Sequence, residues 1–219
     1  MSEIKKTSRT ALSRAKQRGS YDRETIYSIL DSTPVCQVGF IRNGHPAVLP
    51  MAYGRLNNKI YLHGAEESPF LKDIAASETL CISVFILDGL VFARSAFHHS
   101  MNFRSAVMYG KAEKMVSDEE KIRGLKALTD RILPGRWENV RLPTSAELKQ
   151  TMVLAFPVEE ASAKIRSGGP LDSPSDMDFP VWAGTVPVKM QASSPVTDRE
   201  SKIPAPENMN EIFAADRNL

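Results

Sequence analysis

Short apolar segments separated by turn residues dominate the first half of the chain, and this pattern predicts β-strands. Residues 35–41, 47–53 and 59–63 are rich in β-branched, aromatic and aliphatic side chains. Asn43-Gly44 and Asn57-Asn58 separate the three segments, and both pairs favour tight turns. The pattern therefore predicts three consecutive antiparallel strands.

Further strands are predicted at residues 79–87, 90–97, 104–115 and 151–165. Asp88-Gly89, between the first two of these, indicates either a hairpin turn or a bulge. Gly110 is expected to form a bulge or bend within the third strand.

Four helices are predicted where capping residues precede apolar segments. Single capping residues start the first two helices, which run to about residues 30 and 76, and capping boxes start the other two. In chain order the caps are Asp22, Ser68, Ser117 with Glu120, and Thr144 with Glu147. Pro69 fits the first helical position after Ser68.

Consecutive strands with helices at the ends and between them predict a mainly β (α+β) fold, either an antiparallel barrel or an α+β sandwich. The 219 residues suit one domain with appendages. We expect a basic N-terminal arm at residues 1–19, the domain at residues 20–190 and an irregular tail at residues 191–219, where Pro, Ser and charged residues dominate.

Composition and charge exclude several classes of protein. The formal net charge of +2 argues against a nucleic-acid partner. No apolar segment approaches the roughly 18 residues of a membrane span. Cys36 and Cys81, the two cysteines, lie within apolar segments and favour buried thiols in a reducing compartment. The predicted location is the cytoplasm.

The first 18 residues hold six cations against one acidic residue, Glu3. A mitochondrial presequence has such a composition, but too few large apolar residues are present for an amphipathic face. An arm that packs on an acidic or phosphate-bearing surface, or a solvated tail, is the expected interpretation.

Several common catalytic motifs are absent from the sequence. It contains no glycine-rich phosphate loop, no G-x-S-x-G elbow and no zinc motif. His98-His99 is a weak metal candidate, because adjacent strand residues point to opposite faces.

Two polar stretches lie beside predicted strands. Residues 61–65, followed by Ser68 and Lys72, combine a strand end, a glycine and a helix start, which suits an anion. Residues 94–105 hold two Arg-Ser pairs around His98-His99 and Asn102, and guanidinium groups beside hydroxyls suit a phosphate. Solvated strand-edge charge is the alternative for both.

These stretches resemble the pyridoxamine 5'-phosphate oxidase-like proteins, in the branch of flavin-nucleotide-binding and nitroimidazole-reductase-related proteins. The resemblance spans roughly residues 18–188. Its specific segments are residues 18–22, 60–65, 87–91, 96–105 and 182–187.

The resemblance implies an antiparallel split β-barrel with flanking helices that forms a homodimer and binds FMN at the subunit interface. The strands at residues 79–87 and 104–115 would contribute interface surface. The implied FMN contacts are Val48, Leu49, Pro50, Met51, His63, Gly64, Ala65, Ser68, Lys72, Arg94, Arg104, Ser105 and Trp182, the last from the partner subunit.

Two departures from the family pattern qualify these roles. Pro69 occupies a position that is basic in many relatives, so Lys72, Arg94 or Arg104 would have to meet the phosphate charge. The C-terminal R-L-x-P element of true pyridoxamine phosphate oxidases is missing, so that activity is not expected.

The predicted function is therefore an FMN-dependent oxidoreductase that passes electrons from a nicotinamide donor to a small nitroaromatic- or quinone-like acceptor. His63 is the catalytic candidate, as a proton donor or an orienting group; a hydrogen-bonded strand-end histidine is the alternative. A non-catalytic flavin carrier or sensor, and a split barrel with haem or a deazaflavin in which His98 or His99 could serve haem, remain open.

Overall fold

The computed structural model describes residues 3–211 of the chain, and side chains over residues 3–209. Ten strands form one antiparallel sheet in this part of the chain. They are Gly19–Ser20 (β1), Val35–Arg42 (β2), His45–Leu56 (β3), Lys59–Ala65 (β4), Leu80–Phe92 (β5), Ser100–Gly110 (β6), Glu113–Lys114 (β7), Thr151–Pro157 (β8), Glu160–Arg166 (β9) and Gly184–Pro187 (β10).

The four helices are Arg23–Asp31 (α1), Pro69–Ala76 (α2), Asp118–Ile132 (α3) and Ser145–Lys149 (α4). Each begins where the sequence predicts. Asp22 and Ser68 accept hydrogen bonds from the backbone N–H groups of Thr25 and Leu71, and both predicted capping boxes form. The predicted fold class, mainly β with flanking helices, is confirmed.

The sheet runs in the order β1-β9-β6-β5-β2-β3-β4-β8-β7, with β10 added to β5, and its two ends do not meet. β3 connects the two halves: its first eight residues pair with β2, and Tyr53–Leu56 pair with β4. Asn43 and Gly44 have positive φ values of 50° and 78°, as the predicted hairpin turn requires.

Two strand predictions need correction. Residues 79–87 and 90–97 are not separate strands: β5 is continuous to Phe92, with a register shift between Leu87 and Gly89, so Asp88-Gly89 is a bulge. Residues 96–98 form a 3₁₀ turn, and β6 begins at Ser100 rather than at residue 104.

The predicted strand at residues 151–165 is in fact two strands, β8 and β9. β8 pairs with β4, whereas β9 pairs with β6, so the chain crosses between the two halves of the sheet. Between β8 and β9, the Val158 backbone N–H donates to the Asn58 carbonyl at 2.7 Å. β8 is buried on both faces, and Pro157 and the polar residues that follow it mark the break between the two strands, which the prediction of one continuous strand passed over.

The main core lies between the inner face of the curved sheet and helices α1 and α2, with Ile26, Leu30 and Ile74 fully buried. Helix α3 covers the opposite face of β3, β4 and β8, where Tyr61, Val153 and Leu128 form a second cluster. Within residues 3–211, no helix covers the remaining surface of the sheet.

The N-terminal residues that the structure describes pack against the sheet. Ile4 is buried, and its N–H donates to the Tyr21 carbonyl at 2.8 Å. Arg9 pairs with Glu160 on β9. Beyond β10, the described tail has no α-helix or β-strand, only the 3₁₀ turn Glu207–Glu211.

No helix in residues 3–211 is both long enough and apolar enough to cross a lipid bilayer.

Candidate functional site

An exposed face of the sheet carries several of the predicted cofactor contacts. On β2, β3, β5 and β6, alternate side chains point away from the core, and we call this surface the outer face. Val48 is 67% exposed and Phe85 is 50% exposed there. The rings of Phe85 and Phe103 stack with centroids 5.8 Å apart. Large exposed apolar side chains on one surface are typical of a ligand or subunit interface.

The four predicted contacts on β3 divide between two faces. Val48 and Pro50 lie on the outer face, whereas Leu49 and Met51 pack against the core. β4 pairs only with residues 53–56 of β3, so among the described residues the earlier part of β3 has one edge without a strand partner. Its backbone N–H and C=O groups can therefore reach a ligand.

His63 is exposed and adjoins the outer face. Its neighbour Leu62 pairs with Tyr53, and both are buried in the core, so the His63 side chain points to the opposite side. Partial burial lowers the pKa of His63 below its usual value of 6.5. The imidazole is therefore neutral at physiological pH.

Gly64 and Ala65 end β4, and Gly64 allows helix α2 to approach. A Cβ at Gly64 would lie 2.6 Å from Leu71 Cδ1 on that helix. The close approach places the α2 N-terminus beside the strand end, as the sequence predicts.

At that N-terminus, protein groups already engage the two predicted phosphate ligands. Ser68 Oγ accepts a hydrogen bond from the Leu71 N–H at 3.4 Å. Lys72 Nζ pairs with Glu67 Oε2 at 2.5 Å on the surface. Exposed ion pairs are weak, so an anion could displace Glu67, but the site has little net positive charge.

Arg104 and Ser105 do not face the same way. Ser105 lies on the outer face, while Arg104 points to the other side and makes a bidentate pair with Asp88. Arg104 Nη2 and Nε lie 2.8 and 3.0 Å from the Asp88 oxygens, and Nη1 donates to Ser32 Oγ at 3.3 Å. The β5 bulge leaves Asp88 without a partner on β6 and free to accept these bonds.

The Arg104–Asp88 pair forms one wall of a cavity of about 640 Å³ between β5 and residues 187–190. This size is typical of small-molecule sites. The cation at its wall is already neutralised by Asp88.

Arg94 is also paired, with a residue that the sequence did not single out. Its side chain and its backbone N–H both donate to the Asp172 carboxylate at 2.8 Å. The Asp172 side chain is almost fully buried. This residue lies in a Gly-, Pro- and Ser-rich segment with no periodic pattern, so no local signal marks it.

Other polar residues of the 94–105 stretch hold the same segment, residues 167–190, which we call the strap. His98 Nε2 lies 3.1 Å from Ser173 Oγ, and Asn102 donates to the Gly168 carbonyl at 3.1 Å. In the structure these polar groups therefore anchor the strap.

The strap carries Trp182 to the end of the sheet. β10 pairs with β5 from Gly89 to Phe92, and the Trp182 and Phe92 ring centroids are 5.7 Å apart. Phe92 also meets the edge of His99 at 5.9 Å. Trp182 stays 63% exposed, so its ring can cover a ligand or a second subunit.

The family model described as pyridoxamine 5'-phosphate oxidase matches residues 22–165. Among curated proteins, none matches the chain.

Solved structures show the same fold over most of the chain. The flavocytochrome Anf3 from Azotobacter vinelandii is 36% identical, with a TM-score of 0.88 and coverage of 94% of this chain and 96% of that one. A FAD and haem binding protein from Mycobacterium smegmatis is 35% identical, with a TM-score of 0.84 and coverage of 89% and 97%.

A third structure shares the fold alone. It is described as a 5-nitroimidazole antibiotic resistance protein from Bacteroides thetaiotaomicron, at 24% identity, with a TM-score of 0.58 and coverage of 67% and 86%. The sequence motifs, the antiparallel sheet with its flanking helices and the family match agree, and the chain belongs to the pyridoxamine 5'-phosphate oxidase family of split-barrel proteins.

Proposed function

We propose that this protein is a flavin- and haem-binding oxidoreductase that passes electrons from a donor to a small acceptor. The observation that carries the proposal is its likeness, over nearly the whole of each chain, to one protein described as a flavocytochrome and another described as binding FAD and haem. Both are more than 30% identical to this chain and cover 94% and 89% of it.

The outer face has the chemistry that a flavin requires. An isoalloxazine ring is planar and apolar on its faces, which suits the exposed side chains of Val48 and Phe85. Its polar edge needs hydrogen-bond donors and acceptors, which the open edge of β3 offers between residues 48 and 51. His63, Gly64, Ala65 and Ser105 adjoin this surface in the proposed site.

The sequence predicts FMN, whereas the M. smegmatis relative is described with FAD. We propose FAD as the flavin here, because that relative is 35% identical and covers 89% of this chain. Extraction of the bound cofactor distinguishes the two flavins, and release of FMN instead of FAD is the alternative outcome.

A bound flavin would supply the redox chemistry, and the protein would supply position and protons. His63 fits a positioning role because its lowered pKa keeps the ring neutral, with one N–H group to donate a hydrogen bond. That N–H could orient an acceptor oxygen and pass its proton to it while the second ring nitrogen takes up a proton from solvent, so that the ring ends neutral.

Haem requires an imidazole with a free ring nitrogen beside an apolar surface. We propose His99 and His63 as candidates for this role. His99 donates from Nδ1 to the Ser95 carbonyl at 2.9 Å, which leaves Nε2 available beside Phe92. His63 has both ring nitrogens free of protein hydrogen bonds and adjoins the outer face.

We also propose that the protein is a homodimer. The exposed apolar side chains of the outer face would be buried between two copies, and a cofactor there would be enclosed by both. In this arrangement Trp182 of the second copy covers the cofactor.

The electron path is tested with purified protein under anaerobic conditions. NADH or NADPH should bleach the flavin absorption, and a nitroaromatic or quinone should restore it. His63→Gln should retain the flavin and slow restoration by about 100-fold, the typical contribution of a proton donor. His45→Gln, at the exposed β2–β3 hairpin, is the matched control and should behave as wild type.

A His63→Gln variant that restores its absorption as fast as wild type would leave His63 as a structural strand-end residue. Flavin that is bound but never reduced or reoxidised would favour a carrier or sensor.

A further inference from the structure

Three cations gather at the sheet edge where β1 pairs with β9, and we call them the cationic edge. Arg18 immediately precedes β1, and Lys164 and Arg166 lie two residues apart on β9. Gly19 is the register partner of Lys164, and the preceding residue, Arg18, lies close enough to Arg166 for the two charges to interact. Residues two apart on a strand share a face, so Lys164 and Arg166 point the same way.

Arg166 is 5% exposed, yet its guanidinium bonds only neutral oxygens. It donates to the Asn102 amide oxygen and to the carbonyls of Gly168 and Gly169, at 3.2 and 2.9 Å for the latter two. Burial and the nearby charge of Arg18 both lower the pKa of Arg166. A buried cation beside a second cation, without a counter-charge, is destabilising.

No carboxylate in residues 3–209 forms an ion pair with any of the three. The contrast with the predicted phosphate ligands is direct. Lys72, Arg94 and Arg104 each have a carboxylate partner. None of these ion pairs therefore compensates the positive charge of the cationic edge, and its Arg18 belongs to residues 18–22 of the family pattern, to which the flavin contacts assign no role.

The cationic edge is continuous with the outer face. Lys164 is the register partner of Ser105, whose hydroxyl donates to the Lys164 carbonyl at 3.2 Å. Arg166 is the register partner of Phe103, which stacks on Phe85. A ligand whose ring lies on the outer face could thus present an anionic group to these cations.

We propose that Arg18, Lys164 and Arg166 form a phosphate-binding site that takes the phosphate or diphosphate of the flavin nucleotide. The inference rests on the proposed function, since it gives the outer-face flavin its phosphate ligands. Guanidinium and ammonium groups together suit phosphate, because they combine bidentate donation with a compact charge. A separate nucleotide that delivers electrons is the second source of the same chemistry.

The test measures affinities of cofactor-free protein for FAD, FMN and riboflavin, which lacks a phosphate. Arg18→Gln and Lys164→Gln should each weaken FAD binding by at least about tenfold, the effect of losing a charged hydrogen bond, and leave riboflavin binding unchanged. Lys149→Gln removes the same charge at the exposed end of α4, where no ion pair forms with residues 3–209, and should leave every affinity unchanged. Thermal melting shows that each variant is folded.

Two outcomes would overturn the site. In the first, both variants keep the wild-type affinity for FAD and the wild-type KM for NADH and NADPH. In the second, they lose as much affinity for riboflavin as for FAD. Unchanged FAD affinity with at least a tenfold rise in the KM for NADH or NADPH would assign the phosphate to the donor.

Failure of the proposed function can be distinguished from failure of the phosphate site. If wild type binds none of the three flavins, titration with inorganic pyrophosphate still tests the site. Pyrophosphate binding that Arg18→Gln abolishes supports a phosphate site without a flavin; no binding to wild type overturns both.

Discussion

At the scale of single residues, side-chain partners decide which predicted site residues remain free to bind a cofactor. The motifs identify His63, Arg94 and Arg104 by type and position, but their surroundings depend on distant parts of the chain. Asp172 is 78 residues from Arg94, and Asp88 reaches Arg104 only because of the β5 bulge. Asp172 has no sequence pattern of its own, and Asp88 was identified only as part of a turn or bulge, so the sequence predicts neither ion pair.

The lowered pKa of His63 makes stability depend on pH. As the pH falls through the usual value of 6.5, the unfolded chain binds a proton that the folded protein does not. Stability should therefore fall between about pH 7 and about pH 5, and His63→Gln should lose less over this interval because it has no such group. Melting temperatures of both proteins across the interval check this; parallel curves would contradict it.

At the scale of secondary-structure elements, caps and turns were predictable and strand pairing was less so. The helix starts at Asp22, Ser68 and Ser117 follow from local hydrogen bonding, which neighbouring residues determine. The crossing between β8 and β9 depends on which distant strands they pair with, and a short apolar segment carries no information on that.

Gly54 sets how closely α3 packs on the sheet. A Cβ at this position would overlap the Ala127 carbonyl oxygen in the helix. Gly54→Ala should therefore displace α3 and destabilise the protein by about 1–3 kcal/mol, the usual cost of overpacking. Chemical denaturation measures this.

Gly169→Ala is the matched control, because no atom lies within 4 Å of a Cβ there. Its stability should stay within about 0.5 kcal/mol of wild type. Equal stability of the two variants would mean that α3 does not rest directly on Gly54.

The strap should depend on Asp172, whose carboxylate receives two hydrogen bonds from Arg94. Asp172→Asn keeps the shape and removes the charge that attracts the guanidinium. We expect amide hydrogen exchange in residues 170–186 to accelerate by about tenfold, with exchange in β8 unchanged. Asp178→Asn, an exposed strap residue, is the control; unchanged exchange in Asp172→Asn would show that other contacts suffice.

At the scale of the whole molecule, the sequence predicts the family, the mainly β fold and a shared flavin site. The structure adds the outer face, which only the register of four strands could reveal. Because alternate residues of separate strands meet on one surface, its apolar character is not visible in any single segment.

The proposed dimer predicts that a charge on the outer face separates the subunits. Phe85→Lys would bury an unpaired ammonium group between them, so sedimentation should show monomers and the flavin should be lost. Val116→Lys, at an 80% exposed position before α3, should remain dimeric. Wild-type protein that sediments as a monomer with flavin bound would contradict the arrangement.

The cofactor content of the purified protein tests the central claim most directly. Absorption spectroscopy, followed by extraction and chromatography of the released cofactors, measures it. The account predicts visible flavin bands together with a haem Soret band, and release of FAD and haem in equal amounts. A colourless protein that takes up neither added flavin nor added haem would contradict it.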